Sequence, residues 1–388
     1  MDKNAFELLL SLLRYRFATE GGEPIQPPMV DRDDLPALYV LAKHHDLAHL
    51  VSDVLGELGA LDGSGEVDLK LQKQQMLAVY RYERTNYEYQ EICKALSESK
   101  IAFLPLKGSI LRDYYPAPWM RTSCDIDILV HEKDLERAVS VLEQKLQYSK
   151  EQMGFHDVSL RSQSDVHLEL HFDLNEREYR VYKSLTRVWD YTVSKKEDPF
   201  FYSMPNELFY FYHIAHMAKH FVYGGCGIKP FLDLLILDRR FVEDRTAINA
   251  LLQKEGLLDF ANACRKLNRV WFYKDEADEA DRQMQTFVLR GGVYGTMDNH
   301  VIMQQNKKGG KLRYALSRIF PPIYKLKIQF PVLEKYPWLL PFCHIGRWFG
   351  LIFKKGRFKN SMRELSMNTS LSKEQIEQTS EMLFRLGL

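Results

Sequence analysis

The chain has 388 residues, 45% hydrophobic and 27% charged, a composition that excludes a disordered or low-complexity protein. At that length two or three domains are expected rather than one small core. The formal net charge of +1 names no partner, but residues 307–359 hold 13 Lys and Arg against the single acid Glu334, leaving the remainder acidic.

The N-terminal MDKNAFELLLSLLRYRF sets Phe6, Leu9, Leu10, Leu13 and Phe17 on one helical face, with Glu7 and Arg14 interrupting the rest. That is an amphipathic helix, not the continuous apolar run of a secretion signal. No stretch approaches the roughly 18 apolar residues of a transmembrane span. Cys93, Cys124, Cys226, Cys264 and Cys343 are scattered and lack C-x₂-C pairing, which argues against a disulfide framework or a zinc site. A reducing, cytoplasmic location is expected. Residues 36–59 have helical periodicity and 68–99 read as one long helix, with the loop GALDGSGEVD between them. Residues 1–99 are therefore read as a helical region.

Beyond residue 100 the period changes. IAFLPLKG (101–108) reads as a strand, and SILRDYY as a helical turn stopped by Pro116 and Pro118. DIDILV (125–130) alternates strictly, residues 132–146 form an amphipathic helix, and HDVSLRS and VHLELHFDL alternate again. Residues 100–198 are thus read as a compact core with a mixed sheet. From 199 to 388 the pattern is helical, with an acidic solvated patch DEADEADRQM, a basic aromatic tail and a final helix capped from Ser372. The fold class expected is α+β: a small mixed-sheet core flanked by N-terminal and C-terminal helical domains.

The chemistry concentrates in LKGSILRDYYPAPWMRTSCDIDILV (106–130). Asp125 and Asp127 lie two apart on a strand, so both carboxylates share a face while Ile126 and Ile128 turn to the core. Two adjacent carboxylates repel unless a cation neutralises them, which makes the strand a candidate Mg²⁺ platform. Taken alone, D-x-D also reads as a solvent-facing acidic strand. Fifteen residues separate it from Gly108 and Ser109, which follow an apolar strand. A glycine there lets backbone N–H groups approach a phosphate, and Ser109 adds a hydroxyl. Downstream, VHLELHFDL puts Glu169 on a strand with His167, His171 and Asp173 on its polar face, a third carboxylate for the same site.

A Gly-Ser turn after a strand, a D-x-D strand and a third carboxylate on a later strand resemble the polymerase-β-like nucleotidyltransferases. LKG followed by Tyr-Pro, an Arg before DIDILV, an E-x-H strand, the helical H-x-x-H-x-x-x-H of His213, His216 and His220, a basic residue before a D-L pair, and a C-terminal region rich in FP and YP are similar to a bacterial uncharacterised nucleotidyltransferase family. That resemblance covers nearly the whole chain. It departs from the superfold in a longer Gly-Ser to Asp spacing and in Glu169 where Asp is usual. The resemblance implies a nucleotidyltransferase core and two-metal phosphoryl transfer. One Mg²⁺ would be bridged by Asp125 and Asp127, and a second shared with Glu169, which doubles as general base. An NTP is the implied co-substrate, AMP the group moved to a hydroxyl of a small molecule or protein, and pyrophosphate the leaving product. Lys107 and Arg121 are candidates for neutralising the phosphates, as point charge and fork; each also reads as an ordinary surface charge.

Weaker signals keep more than one reading each. His213, His216 and His220 recur on one helix face and suit either a ligand row or packed histidines at an interface. Between these, the helix lines the cleft and His216, His220 or Lys229 touches nucleotide or acceptor. His44, His45 and Asp46 suggest an HD phosphohydrolase, but no matching His and Asp can be placed, so helix-surface residues are expected. The basic aromatic tail, with Trp338, Trp348 and Phe349 beside Arg347, Lys354 and Lys355, suits RNA, an anionic membrane or a basic face packed on the acidic remainder. An active nucleotidyltransferase therefore competes with an inactive nucleotide- or partner-binding module on the same fold, and with an RNA-binding protein or terminal transferase. The intact Asp125/Asp127 pair favours the enzyme.

Overall fold

The computed structural model describes residues 2–18, 25–175, 179–293, 295–308, 310–353 and 373–388. The chain forms two compact units, 1–217 with 228–282, and 218–227 with 283–388. The N-terminal helices and the first helices following the sheet therefore belong to one unit with it.

That first unit opens with α1 (Lys3–Phe17), α2 (Leu35–His44), α3 (Ala48–Glu57) and α4 (Glu66–Glu98). The Asp2 carboxylate caps α1 by accepting the amides of Asn4 and Ala5, and Phe6, Leu9, Leu10, Leu13 and Phe17 are all buried. The periodic stretch 36–59 is not one helix. Asp46 takes φ 56° and breaks it into α2 and α3. His44 is an exposed residue at the end of α2, as expected, whereas His45 and Asp46 form the turn after it, in which His45 is fully buried.

Next come β1 (Phe103–Pro105), the short helix α5 (Gly108–Leu111), β2 (Asp125–Val130), α6 (Leu135–Leu146), β3 (Ser149–Met153), β4 (Asp157–Arg161) and β5 (His167–His171). The sheet runs β1-β2-β5-β4-β3, and β2 with β5 is its parallel pair. Alternation sorts the two faces. Ile126, Ile128, Val130, Val158, Leu160, Leu168 and Leu170 pack with Ile92 and Leu96 of α4 and with Leu135, Ala138, Val139 and Leu142 of α6. The opposite face is left to Asp125, Asp127, His167, Glu169 and His171. The strand expected over 101–108 ends at Pro105, because Gly108 begins α5 instead of closing the strand.

The first unit closes with α7 (Lys183–Thr186), the two-residue strands β6 (Val193–Ser194) and β7 (Tyr202–Ser203), most of α8 (Asn206–Tyr223), then α9 (Lys229–Arg240), α10 (Arg245–Glu255) and α11 (Leu258–Tyr273). The second unit is helical, ending in Lys373–Arg385. The expected cap Ser372 and the tail lysines Lys354 and Lys355 lie outside the described residues. No described helix is long and apolar enough to cross a membrane.

Candidate active site

The parallel pairing of β2 with β5 sets Asp127 opposite Glu169 and Asp125 opposite His167. Ligand atoms of Asp125, His167 and Glu169 lie within 4.8 Å of one another, as do those of Asp127, Glu169 and His171. The three acids expected to gather therefore do so on one sheet face. His167 and His171, read from the sequence only as polar-face residues, join them.

Lys107 and His171 stand against this charge. Lys107 Nζ lies 2.9 Å from Asp127 Oδ1, and His171 Nε2 lies 2.8 Å from the same oxygen and 3.5 Å from Glu169 Oε2. Burial alone would lift Asp127, but Lys107 and His171 hold its carboxyl well below the usual range. Burial and the charge of Asp127 push Asp125 upward, only partly opposed by Lys107. A hydrogen bond with His171 lowers Glu169 against the opposing pull of burial and Asp127. Burial would depress His171, yet Asp127 and Glu169 keep its pKa above the ordinary value. Lys107 behaves alike: burial opposes its charge, and Asp127, then Tyr212, Asp125 and Glu169, raise its pKa. The influence of Tyr212 marks α8 as a wall of the site.

The turn before β2 has a backbone suited to its position. Lys107 adopts φ 41°, ψ −117°, a conformation that costs an L-residue energy and puts its ammonium over Asp127. A Cβ on Gly108 would lie 3.2 Å from both Cβ and Oγ of Ser123, so only glycine fits without displacement. Arg112 is buried and its Nε donates to the Gly108 carbonyl at 2.9 Å. The Ser123 hydroxyl donates to the Asp125 carbonyl at 2.6 Å and lies 3.0 Å from its carboxylate. Sequence reasoning passed over Arg112, Ser123 and Tyr212, whose roles follow from tertiary contact. Ser109 is buried, and its Oγ has no hydrogen-bond partner among the described residues; the same is true of His171 Nδ1. Buried polar atoms left unpaired are costly and point to a missing ligand.

A divalent cation fits this donor set. Three carboxylates supply hard oxygen ligands, two imidazoles stand beside them, and among the described residues the carboxylates pair with Lys107 and His171. Asp125, Asp127 and Glu169 are the residues that would hold it.

Other candidates have different partners from those expected. The Arg121 guanidinium forks onto Asp233, Nε to Oδ1 at 2.7 Å and Nη2 to Oδ2 at 2.8 Å, while Nη1 donates to the Thr122 carbonyl. Three of its five N–H donors are thereby taken by protein acceptors. Lys229 Nζ donates to Asp46 at 2.6 Å and lies 3.3 Å from the Thr122 carbonyl. His213 is turned to the Pro230 carbonyl, 3.0 Å away, as a packed histidine. His216 and His220 are half-buried further along α8, about one and two turns past Tyr212.

A mixed sheet with paired aspartates beside a glycine turn is the α+β arrangement expected of a nucleotidyltransferase. The chain belongs to the uncharacterised nucleotidyltransferase family, whose model matches residues 31–273, and it is a nucleotidyltransferase enzyme. The match ends before the C-terminal FP- and YP-rich region, so the likeness covers less of the chain than the sequence reading expected. No curated protein and no solved structure matches the chain.

Proposed function

We propose that the enzyme moves a nucleoside monophosphate, AMP in our reading, from a nucleoside triphosphate to a hydroxyl of a small molecule or protein, with release of pyrophosphate. The observation that carries this reading is the Asp127–Glu169 register with Asp125 alongside, which gathers three carboxylates beside the Gly108 turn. We assign Asp125, Asp127 and Glu169 to Mg²⁺ at two positions. When bound there, Mg²⁺ supplies neutralisation of the phosphates and acidifies the acceptor hydroxyl.

The chain's own groups do the rest. The acceptor oxygen forms a bond to the α-phosphorus, the bond from that phosphorus to the bridging oxygen breaks, and pyrophosphate leaves with the electron pair. Glu169 takes the hydroxyl proton; His171 beside it keeps the carboxylate ionised and therefore able to accept. Gly108 lets the backbone approach the triphosphate, and the unpartnered Ser109 hydroxyl donates to it. Lys107 balances the phosphates, and His216 of α8 contacts the base or acceptor.

The test is incubation with each labelled NTP, Mg²⁺ and a metabolite extract, with mass spectrometry for a nucleotidylated product. Pyrophosphate release that survives in both Asp125→Asn and Asp127→Asn would remove the carboxylate platform from the reaction.

A further inference from the structure

The second unit carries two helices that are apolar on the side turned to solvent. On Lys311–Ile319 and the residue after it, Leu312, Leu316, Ile319 and Phe320 are exposed, Leu312 at 74%, while Tyr314 on the opposite side is buried. Across Pro337–Leu339 and Leu340–Phe353, Trp338 (69%), Phe342 (64%), Ile345 and Phe349 (59%) are exposed. Their spacing of four, three and four residues makes one stripe. The other side of that helix is spoken for: Cys343 is buried with Leu326 and Leu333, and Leu339 and Leu340 pack against them. The two helices join where Trp348 Nε1 donates to the Ile319 carbonyl at 3.1 Å and the rings of Phe320 and Trp348 lie 5.2 Å apart. A soluble helix normally gives its outward face to polar side chains, so two adjoining apolar stripes call for a partner.

Charge decides which partner. Neither helix contains an acid, and residues 307–359 hold 13 Lys and Arg against Glu334 alone. Lys311, Arg313, Arg318, Lys335 and Arg347 flank the stripes. We propose that these stripes seat the C-terminal unit on the surface of an anionic lipid bilayer, aromatic and aliphatic side chains entering the headgroup–acyl boundary and the basic side chains meeting lipid phosphates. A second copy would bring the same positive charge to the interface and is repelled. Single-stranded RNA reads such a surface by stacking on aromatic rings, yet half of these positions are aliphatic (Leu312, Leu316, Ile319 and Ile345), which suits acyl chains and offers nothing to a base. The absence of a membrane-crossing helix among the described residues accords with lying on the bilayer, not spanning it.

The experiment is flotation of the full chain with vesicles of phosphatidylcholine alone or mixed with phosphatidylglycerol, at low and high salt. The wild type is expected to float with the anionic vesicles at low salt and to be released by salt. Phe342→Glu with Phe349→Glu, and separately Leu312→Glu with Leu316→Glu, should each lower the bound fraction at least about tenfold. These side chains are exposed, and unchanged melting curves establish that the variants stay folded. No flotation of the wild type, or flotation equal in wild type and both variants, overturns the proposal. It is likewise overturned by a dimer that the same substitutions split, or by retention on single-stranded RNA that they abolish, when neither is accompanied by vesicle binding.

Discussion

Two buried charge clusters lie within the first unit, and they are built on opposite principles. In one, Arg121 forks onto Asp233, Tyr115 donates to the same carboxylate at 2.7 Å, and Lys229 meets Asp46, which also accepts from Thr122. Its cations match its anions, and every nitrogen of Arg121 has an acceptor. In the other, Asp125, Asp127 and Glu169 stand against Lys107 and His171, with His167 alongside, and among the described residues the Ser109 hydroxyl and His171 Nδ1 have no partner. A saturated cluster clamps elements together, here the turn before α3, the segment before β2 and the start of α9. An acid-rich cluster with idle polar atoms is arranged for something that arrives later.

The largest effect should come from the unsaturated cluster. Asp127→Asn is expected to lower NTP-dependent pyrophosphate release on the order of a thousandfold, because a neutral amide can neither hold a divalent cation nor keep Lys107 in place. Rate measured under saturating NTP checks this. A rate within a factor of about three of wild type would break the contrast between the clusters.

The saturated cluster should answer in stability. Arg121→Met leaves the Asp233 carboxylate buried at 1% side-chain exposure without its cation, a loss on the order of 3 to 5 kcal/mol. Chemical denaturation measures it, and the double variant Arg121→Met with Asp233→Leu should recover much of the loss. Single-variant stability equal to wild type would mean that the fork is not the clamp it is built to be.

The two clusters also differ in how far the sequence revealed them. The acids on β2 and β5 were legible because both strands are half-buried, so strict alternation writes the apolar and polar faces into neighbouring letters. Even Glu169, carried on a strand that reaches β2 only after α6, β3 and β4, could be read from its own period. The pairing of His171 with Asp127 could not, since it depends on register between strands 44 residues apart. The carboxylate partners of Arg121 and Lys229 were illegible for the same reason: they are 112 and 183 residues away, and a lone basic residue near a D-x-D looks the same whether it faces phosphate or a buried carboxylate. The strand β3 left no signal because all five of its residues are exposed at the sheet edge. The break at Asp46 is a non-glycine residue in the left-handed region, which composition does not announce.

A pH experiment sharpens the contrast beside the saturated cluster. His49 Nε2 sits 2.8 Å from the Met120 carbonyl, and burial drives its pKa from 6.5 down to about 4, against smaller contributions from that carbonyl and Asp46. The folded state therefore resists the proton that the unfolded chain accepts. Stability is complete above pH 6.5 and declines as pH falls toward about 4, by on the order of 3 kcal/mol. The acid limb of a stability–pH curve should flatten in His49→Gln. An identical limb in the variant assigns the acid sensitivity elsewhere.

The smallest expected effect distinguishes most finely between the clusters, and it concerns Lys107. Its ammonium stands 2.9 Å from Asp127 Oδ1, on an oxygen that an incoming divalent cation would need. Were it a fixed strut like Arg121, removing it would only destabilise the fold. As a counter-ion holding the carboxylates together until a cation arrives, it competes with that cation. Lys107→Met keeps the aliphatic stem and removes the charge. The variant should melt lower than wild type without metal, bind Mg²⁺ about tenfold more tightly by calorimetry, and regain stability on its addition. Wild type, with Lys107 already in place, should gain less from the same Mg²⁺. Unchanged Mg²⁺ affinity together with weakened NTP binding would instead make Lys107 a phosphate ligand alone, and the idle capacity of this cluster would then reside in Ser109 and His171.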